Sequence, residues 1–514
     1  MKSRLLKGTI ILTTAGIVTR LIGFVYRIFL ASTLGETNLG IYQLVFPVYS
    51  ICFTLYASGI QTAVSQMVSH ERKEKHPGIV KSGLCLSLVI ALALSFSLFR
   101  FADWTGISFL GTRETAPLLR VLAFIFPFCG ITSVINGYFY GISDARIPGI
   151  TQIIEQLFRV FFVMGVSFLM LSGGLRTDIA VMGLIAGELA SNVYNISRLL
   201  PHMSLHQIIK SRFSLRRLLA LSLPLSGNKL VIALLGSMES VLIPAMLSRY
   251  GHSGEEALAI FGILTGVVLP FILFPGTLTN SLSVLLLPAI SRAAGREQHY
   301  AVRHTTSVAL RYSILLGVFT SSLFLNFGLP IGQFVFHSEN AGKLLTALSF
   351  LCPFLYVSTT LTSVINGLGK TGVTFLHTVS GLCLRILFLI LVTPRRGIYG
   401  YLLGMILSQI LICFLNGIYL VKKHGIQFQL MNHFVWPMVF CASIFYLAKI
   451  AGIWMKGQVD SPLASLTFLI PAGVIIFLYF YIFRLVSLSD FQLSSDRLPR
   501  QKNKEFFFRK NRNI

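Results

Sequence analysis

Apolar runs of about twenty residues, the length of helix that crosses a hydrocarbon core, recur along the chain with short polar breaks between them. Runs near 8–33, 39–68, 79–99, 117–141, 148–171 and 179–200 form a first group. Runs near 218–248, 257–290, 304–327, 342–368, 372–393 and 397–421 form a second, and two more follow at 432–453 and 463–485. The pattern predicts an all-α polytopic membrane protein with about 14 transmembrane helices. A barrel is excluded, because its strands would be short and would alternate in polarity.

The runs repeat as a set. "TSVING" stands at 132–137 in the fourth run and again at 362–367 in the tenth. Each copy follows a Pro-Phe, Pro127-Phe128 and Pro353-Phe354, and precedes a short Gly-containing turn. Two six-helix lobes are therefore expected, residues 1–205 and 206–426, with two additional helices in 427–486 and a basic tail in 487–514. Six is even, so both lobes insert with the same orientation, related by a pseudo-two-fold along the membrane normal with a site between them at mid-depth.

Composition agrees, at 54% hydrophobic and 12% charged over 514 residues, with a charged fraction about half that of a soluble chain. The net charge of +25, from 43 Lys+Arg against 18 Asp+Glu, would suggest nucleic acid in a soluble protein. In a membrane protein, Lys and Arg collect in cytoplasmic loops. "HERKEKH" at 70–76, the 198–217 connection and the tail all fall on the N-terminal side of the spans, whereas Arg395 and Arg396 run against the rule. Both termini are thus expected in the cytoplasm of a cell-membrane protein, with no nucleic-acid partner. The N-terminus "MKSRLLKGTIILTTAG" begins like a signal peptide. It lacks a small-residue cleavage site and its apolar pattern continues past residue 30, so it reads as an uncleaved first span. The seven cysteines fall in apolar runs without a CxxC pair, and the eleven histidines form no HExxH. No metal or other cofactor is expected.

Six cations remain unexplained by loops and span ends: Arg20, Arg27, Arg159, Lys229, Arg311 and Arg385. Arg311 is close enough to a span end to snorkel. An ionisable residue within a span costs roughly 2.5–3.5 kcal/mol on insertion scales, so it faces a cavity or a partner. Gly16, Arg20, Gly23 and Arg27 share one face of the first span, and glycines there admit close approach. In the seventh, Ser226, Lys229 and Gly236 share a face, with Glu239 a quarter turn away and too distant for a local pair with Lys229. In the fifth, Glu155 and Arg159 are at i,i+4 and can pair within the helix. Arg385, in the matching span of the second lobe, has no acid on its own helix. Glu188, Asn192 and Asn195 form a polar stripe on the sixth span, and Asn280 lies in the eighth. With Glu155, Glu188 and Glu239 set against Arg20, Arg27, Arg159, Lys229 and Arg385, a cavity lined by these groups is net cationic. Arginine's planar fork suits phosphate oxygens.

"TRLIGFVYRIFLASTLG" near the N-terminus, "GIYQLVFPVYS" after it, the two-times-six repeat and the two extra helices resemble the polysaccharide-transport branch of the multidrug/oligosaccharidyl-lipid/polysaccharide exporter superfamily. The chain is similar more narrowly to the stage V sporulation protein B group, relatives of the lipid II flippases. The resemblance covers residues 1–485 and implies a monomeric flippase. Its cargo would be an undecaprenyl-diphosphate-linked cell-wall precursor or oligosaccharide, moved from the inner to the outer leaflet by alternating access, in peptidoglycan or spore cortex synthesis. In lipid II flippases the first span reads Ser-Arg, then Gly, then Arg-Asp. Thr19-Arg20 and Gly23 match the first part, and Tyr26-Arg27 stands where Arg-Asp would be. The arginines of their second and eighth spans have no counterpart. Gln61 and Gln66, and Asn280 and Ser283, occupy those spans here.

A multidrug or cation antiporter on the same fold is the nearest rival and would use the deep carboxylates. A membrane enzyme of polysaccharide assembly would need acidic or histidine clusters at a membrane face, and "GHSGEE" at 251–256 is too small for one. The tail holds Arg497, Arg500, Lys502, Lys504, Arg509, Lys510 and Arg512 around Phe506–Phe508. It suits either plain solvation or adhesion to anionic membrane lipids, at about 1 kcal/mol per basic residue near the surface.

Overall fold

The computed structural model describes residues 2–169, 176–212, 215–426, 431–456, 466–483 and 485–486. Side chains of the first thirteen residues lie outside that description, as does the basic tail 487–514. Among the described residues the regular structure is helical throughout, which in lipid leaves no backbone group unpaired.

The first lobe comprises α1 (Lys2–Leu34), α2 (Glu36–His70), α3 (Lys73–Arg100), α4 (Thr115–Ala123 and Phe126–Gly141), α5 (Arg146–Leu169) and α6 (Thr177–Leu199). A short helix, Leu205–Lys210, opens on a capping box between Ser204 and Gln207 and leads to the second lobe. There follow α7 (Leu215–Tyr250), α8 (Gly254–Leu273, continued by Gly276–Gly295), α9 (His299–Phe336), α10 (Glu339–Gly367), α11 (Thr371–Leu391) and α12 (Ile398–His424). Outside both lobes stand α13 (Met431–Met455) and α14 (Leu469–Ile482). Twelve described helices are long and apolar enough to cross a membrane, and α4 is a thirteenth if its two pieces count as one span.

Several spans differ from the expected plain rods, among them α2, which contains a π-helical turn at Thr54–Ser58. α4 bends by 47° between its two pieces. α8, expected as one run over 257–290, breaks at Phe274-Pro275, where proline removes a ladder hydrogen bond. α14 has 14 residues, about 21 Å at 1.5 Å per residue, shorter than the expected 463–485.

Packing repeats along with sequence. In the first lobe α1 lies on α5, α5 on α6, α4 on α6, and both α2 and α3 on α4. In the second, α7 lies on α11, α11 on α12, α10 on α12, and both α8 and α9 on α10. The two "TSVING" copies end alike: a Cβ on Gly137 would stand 2.7 Å from the Gln61 carbonyl of α2, and one on Gly367 would stand 3.0 Å from the Leu287 carbonyl of α8. Thr151 donates to Asn195 at 2.6 Å between α5 and α6, and His377 meets Asn416 at 2.7 Å between α11 and α12.

Three of the lines along which the lobes touch carry close contacts between named residues. At one end α2 crosses α8, where a Cβ on Gly40 would fall 2.0 Å from the Leu258 carbonyl and one on Gly262 would fall 2.5 Å from that of Glu36. Each carbonyl is four residues before the opposing glycine, so the contact is reciprocal, as a two-fold crossing requires. Ser338 donates to Glu36 at 2.7 Å beside it. A second line, α2 against α7, is stitched by polar contacts: Ser237 to the Pro47 carbonyl at 3.0 Å, Lys229 to Ser58, and Arg217 to Glu71. Outside the membrane span, hydrogen bonds from Lys75 and Arg217 hold the Glu71 carboxyl below its ordinary range. The third line, α1 against α8, is aromatic, with Phe24 5.3 Å from Phe271 and 5.2 Å from Phe274.

The reciprocal crossing sets a test. Gly262→Val forces α2 and α8 apart and should destabilise by about 1–3 kcal/mol, as overpacking does. Gly16→Ala, with nothing within 4 Å of the new Cβ, should not. Thermal unfolding in detergent is expected to show a lowered midpoint for the first variant only.

Candidate functional site

Arg20 and Arg27 lie on the continuous helix α1, and both are solvent-accessible. Gly23 between them meets α5: a Cβ there would stand 3.4 Å from the Gln156 amide nitrogen. Gly23 on this face therefore approaches α5 of its own lobe, while Phe24 beside it meets α8 of the other. Among the described residues neither arginine forms a hydrogen bond or ion pair. Arg159 and Tyr42 are electrostatic neighbours of Arg27.

Arg159 is neutralised. Its guanidinium donates to Glu155 one turn back and to Gln156 at 3.5 Å. Glu188 on α6 is 4% exposed, has Glu155 and Arg159 as electrostatic neighbours, and leaves Oε1 without a hydrogen-bond partner. Asn192, expected as a cavity group, instead ties helices together: its amide donates to the carbonyls of Phe128 on α4 at 3.0 Å and Glu188 at 2.9 Å.

The second lobe holds its own arginine differently. Arg385 on α11 donates to Glu239 on α7 at 2.5 Å, and the Tyr401 hydroxyl of α12 donates to the other oxygen at 2.5 Å. Both carboxylate oxygens are thus engaged, and Glu239 is 5% exposed. Arg385 has no acid on its own helix and pairs with one from elsewhere in its lobe. Its acid comes from a neighbouring helix, which periodicity along α11 cannot reveal. Arg159 and Arg385 are positional equivalents, since Gly183 of α6 and Gly404 of α12 approach their carbonyls alike, with Cβ distances of 3.4 and 3.6 Å.

Lys229 is accessible and faces the other lobe, donating to Ser58 Oγ at 2.9 Å, the Ser58 carbonyl at 3.2 Å and Thr62 Oγ1 at 3.4 Å. Asn280 is half-buried in the second piece of α8. Of the five expected cavity cations, Arg20, Arg27 and Lys229 have no acid partner among the described residues, while Arg159 and Arg385 do. A cavity of about 480 Å³ between α2 and the end of α3, lined by Val48, Cys52, Leu94, Leu98, Phe101 and Trp104, is apolar and contains none of these groups. Sequence reading missed Tyr401, Ser58 and the Gly40/Gly262 crossing. For the glycines the only sign was a small residue in an apolar helix, one of 43 in the chain. The described residues contain no group of three or more His, Cys, Asp or Glu arranged to hold a metal.

A family model described as polysaccharide biosynthesis protein matches residues 5–294, more than half of the chain. The chain belongs to that family. The MatE model also matches, over 230–391. Within the polysaccharide biosynthesis relatives, stage V sporulation protein B of Bacillus subtilis is 25% identical over 448 residues, covering 84% of this chain and 86% of the relative. Lipid II flippase MurJ of the same organism is 22% identical over 492 residues, covering 89% and 90%. Two solved structures share the fold. Lipid II flippase MurJ in an inward closed conformation has a TM-score of 0.68 at 17% identity, covering 92% of this chain and 98% of that one. An inward-facing multidrug resistance MATE family transporter of the MOP superfamily has 0.65 at 16%, covering 81% and 98%. This polysaccharide biosynthesis family member is thus a multi-pass membrane protein with the two-lobed MOP transporter fold.

The interlobe-independent pair gives a direct test. Arg385→Ala or Glu239→Ala leaves its partner buried and uncompensated, and each should cost about 3–5 kcal/mol. The double variant Arg385→Met/Glu239→Gln should recover much of that loss in a thermal-unfolding cycle.

Proposed function

We propose that this protein is a flippase that moves an undecaprenyl-diphosphate-linked saccharide from the inner to the outer leaflet by alternating access, without covalent chemistry. The observation that carries the reading is the contrast among the deep cations. Arg159 and Arg385 are neutralised within their lobes, whereas Arg20 and Arg27, two turns apart on α1, have no acid partner among the described residues. A cation kept in a span at a cost of roughly 2.5–3.5 kcal/mol without a protein counter-ion suits an anionic ligand. The guanidinium fork matches phosphate oxygens in pairs. Relatives over most of the chain include a lipid II flippase, which supports the class of cargo.

Export follows from where such lipids are made and from the field. With the basic loops in the cytoplasm, a cytoplasm-negative potential favours outward movement of an anionic headgroup by about 2.3 kcal/mol per charge per 100 mV. The rival reading, a cation antiporter, has one specific observation in its favour: buried Glu188, with an oxygen that no donor satisfies. Glu188 has the Glu155–Arg159 pair as its electrostatic neighbours.

Arg20→Ala and Arg27→Ala should each abolish complementation at normal membrane levels. In liposomes with an imposed potential, a labelled polyprenyl-diphosphate sugar should flip, and a neutral lipid analogue should not. Equal rates for both lipids, or expulsion of cationic dyes without lipid flipping, would overturn the reading in favour of the antiporter.

A further inference from the structure

Of the three cations without an acid partner, Lys229 alone makes hydrogen bonds to described residues, and all of them cross to the other lobe. Its acceptors are neutral oxygens at one place on α2. That helix is α-helical over Glu36–Phe53 and again over Gly59–His70, with a π-helical turn, Thr54–Ser58, between. Ser58 closes the wide turn, and Thr62 lies one turn beyond. One turn before Lys229, Ser226 presses on the same junction, since a Cβ on Gly59 would fall 1.8 Å from its Oγ. The chain therefore grips α2 where its two halves join. Single π-turns inside α-helices recur at functional sites.

An ammonium held only by neutral oxygens keeps its whole charge. Bonds to an ionised phosphate oxygen are roughly twice as strong as bonds between neutral groups, so a phosphate within reach competes for Lys229 against Ser58 and Thr62. Lysine's flexible stem and three rotatable donors permit the transfer, which a planar guanidinium locked in a fork would resist. When Lys229 lets go, the remaining described polar contacts between α2 and α7 are Ser237 to Pro47 on one side of the π-turn and Arg217 to Glu71 on the other. In the latter Arg217 is 59% accessible and Glu71 14%, and an ion pair open to water on one side resists little.

We infer that Lys229 is a ligand-displaced latch: without ligand it ties α7 to the π-turn of α2, and the phosphate of the cargo draws it off and frees that junction to bend. The inference rests on the proposed anionic cargo. It supplies what a ligand needs to shift a conformational equilibrium, an interaction that differs between the two states. Lys229 is on this account a positioning residue for the lobes as well as a contact for the phosphate.

The test uses full-length, cysteine-free protein in nanodiscs with spin labels at Ser69 and Arg216, both exposed. Farnesyl diphosphate and farnesol are the probes, and native mass spectrometry reads binding. In the otherwise unsubstituted protein, farnesyl diphosphate should bind and lengthen the mean 69–216 distance, and farnesol should leave it unchanged. Lys229→Met should show the longer distance without ligand and no further shift with it. Lys229→Arg should restore part of the ligand dependence, and the milder Thr62→Val should move the ligand-free distance in the same direction as Lys229→Met. A ligand-free Lys229→Met distance equal to that of the parent would overturn the latch, as would farnesyl diphosphate that binds without moving the parent's labels. Absence of binding to the parent, with Lys229→Met already lengthened, would instead overturn the diphosphate cargo and with it the displacement step.

Discussion

A charge in hydrocarbon has to be answered, and that constraint organises the interior of this protein. Two of its deep arginines stand at equivalent positions of the two lobes and are answered in different ways. Arg159 takes an acid from its own helix, one turn back. Arg385 takes Glu239 from α7, with Tyr401 filling the second oxygen. The backbone placement is shared and the counter-charge is not, so the lobes keep one architecture while their polar interiors diverge. Among the described residues no acid answers Arg20, Arg27 or Lys229, one pair on α1 and one cation reaching across to α2.

The lobe contacts divide along the same chemical line. Where the lobes meet on the pseudo-two-fold, Gly40 and Gly262 bring backbone against backbone, which no larger residue permits. To one side, α2 and α7 are joined by hydrogen bonds at three depths. To the other, α1 and α8 meet through the rings of Phe24, Phe271 and Phe274. Symmetry of fold thus coexists with asymmetry of adhesion.

Most of the architecture was legible in sequence because it rests on local properties. Run length gave the spans, and the repeated "TSVING" gave lobes whose copies prove to sit alike against α2 and α8. The i,i+4 pair of Glu155 and Arg159 was readable for the same reason, since both residues are on one helix. Arg385 was not, because its partner is 146 residues away in the chain. Asn192 was legible as part of a polar stripe, but the carbonyl of α4 to which its amide donates was not, since no helical period encodes that contact. The break in α8 was marked by Pro275, but the apolar run continued across it and hid it. The π-turn of α2 has no residue that announces it.

The two seams differ in what it costs to part them toward lipid. Separating α2 from α7 would strip the Ser237 hydroxyl and the Lys229 ammonium of their partners across the seam, and an unsatisfied polar group costs several kcal/mol in a medium that offers no replacement. Separating α1 from α8 exposes phenyl rings, which hydrocarbon solvates as well as the protein does. For the proposed lipid-linked cargo, the headgroup needs the cations while the prenyl chain needs lipid. The seam at Phe24 lies on the helix that carries Arg20 and Arg27, within one turn of each. A chain leaving through that seam can therefore stay in hydrocarbon while its diphosphate stays beside the arginines, and the same helix serves both halves of an amphipathic molecule.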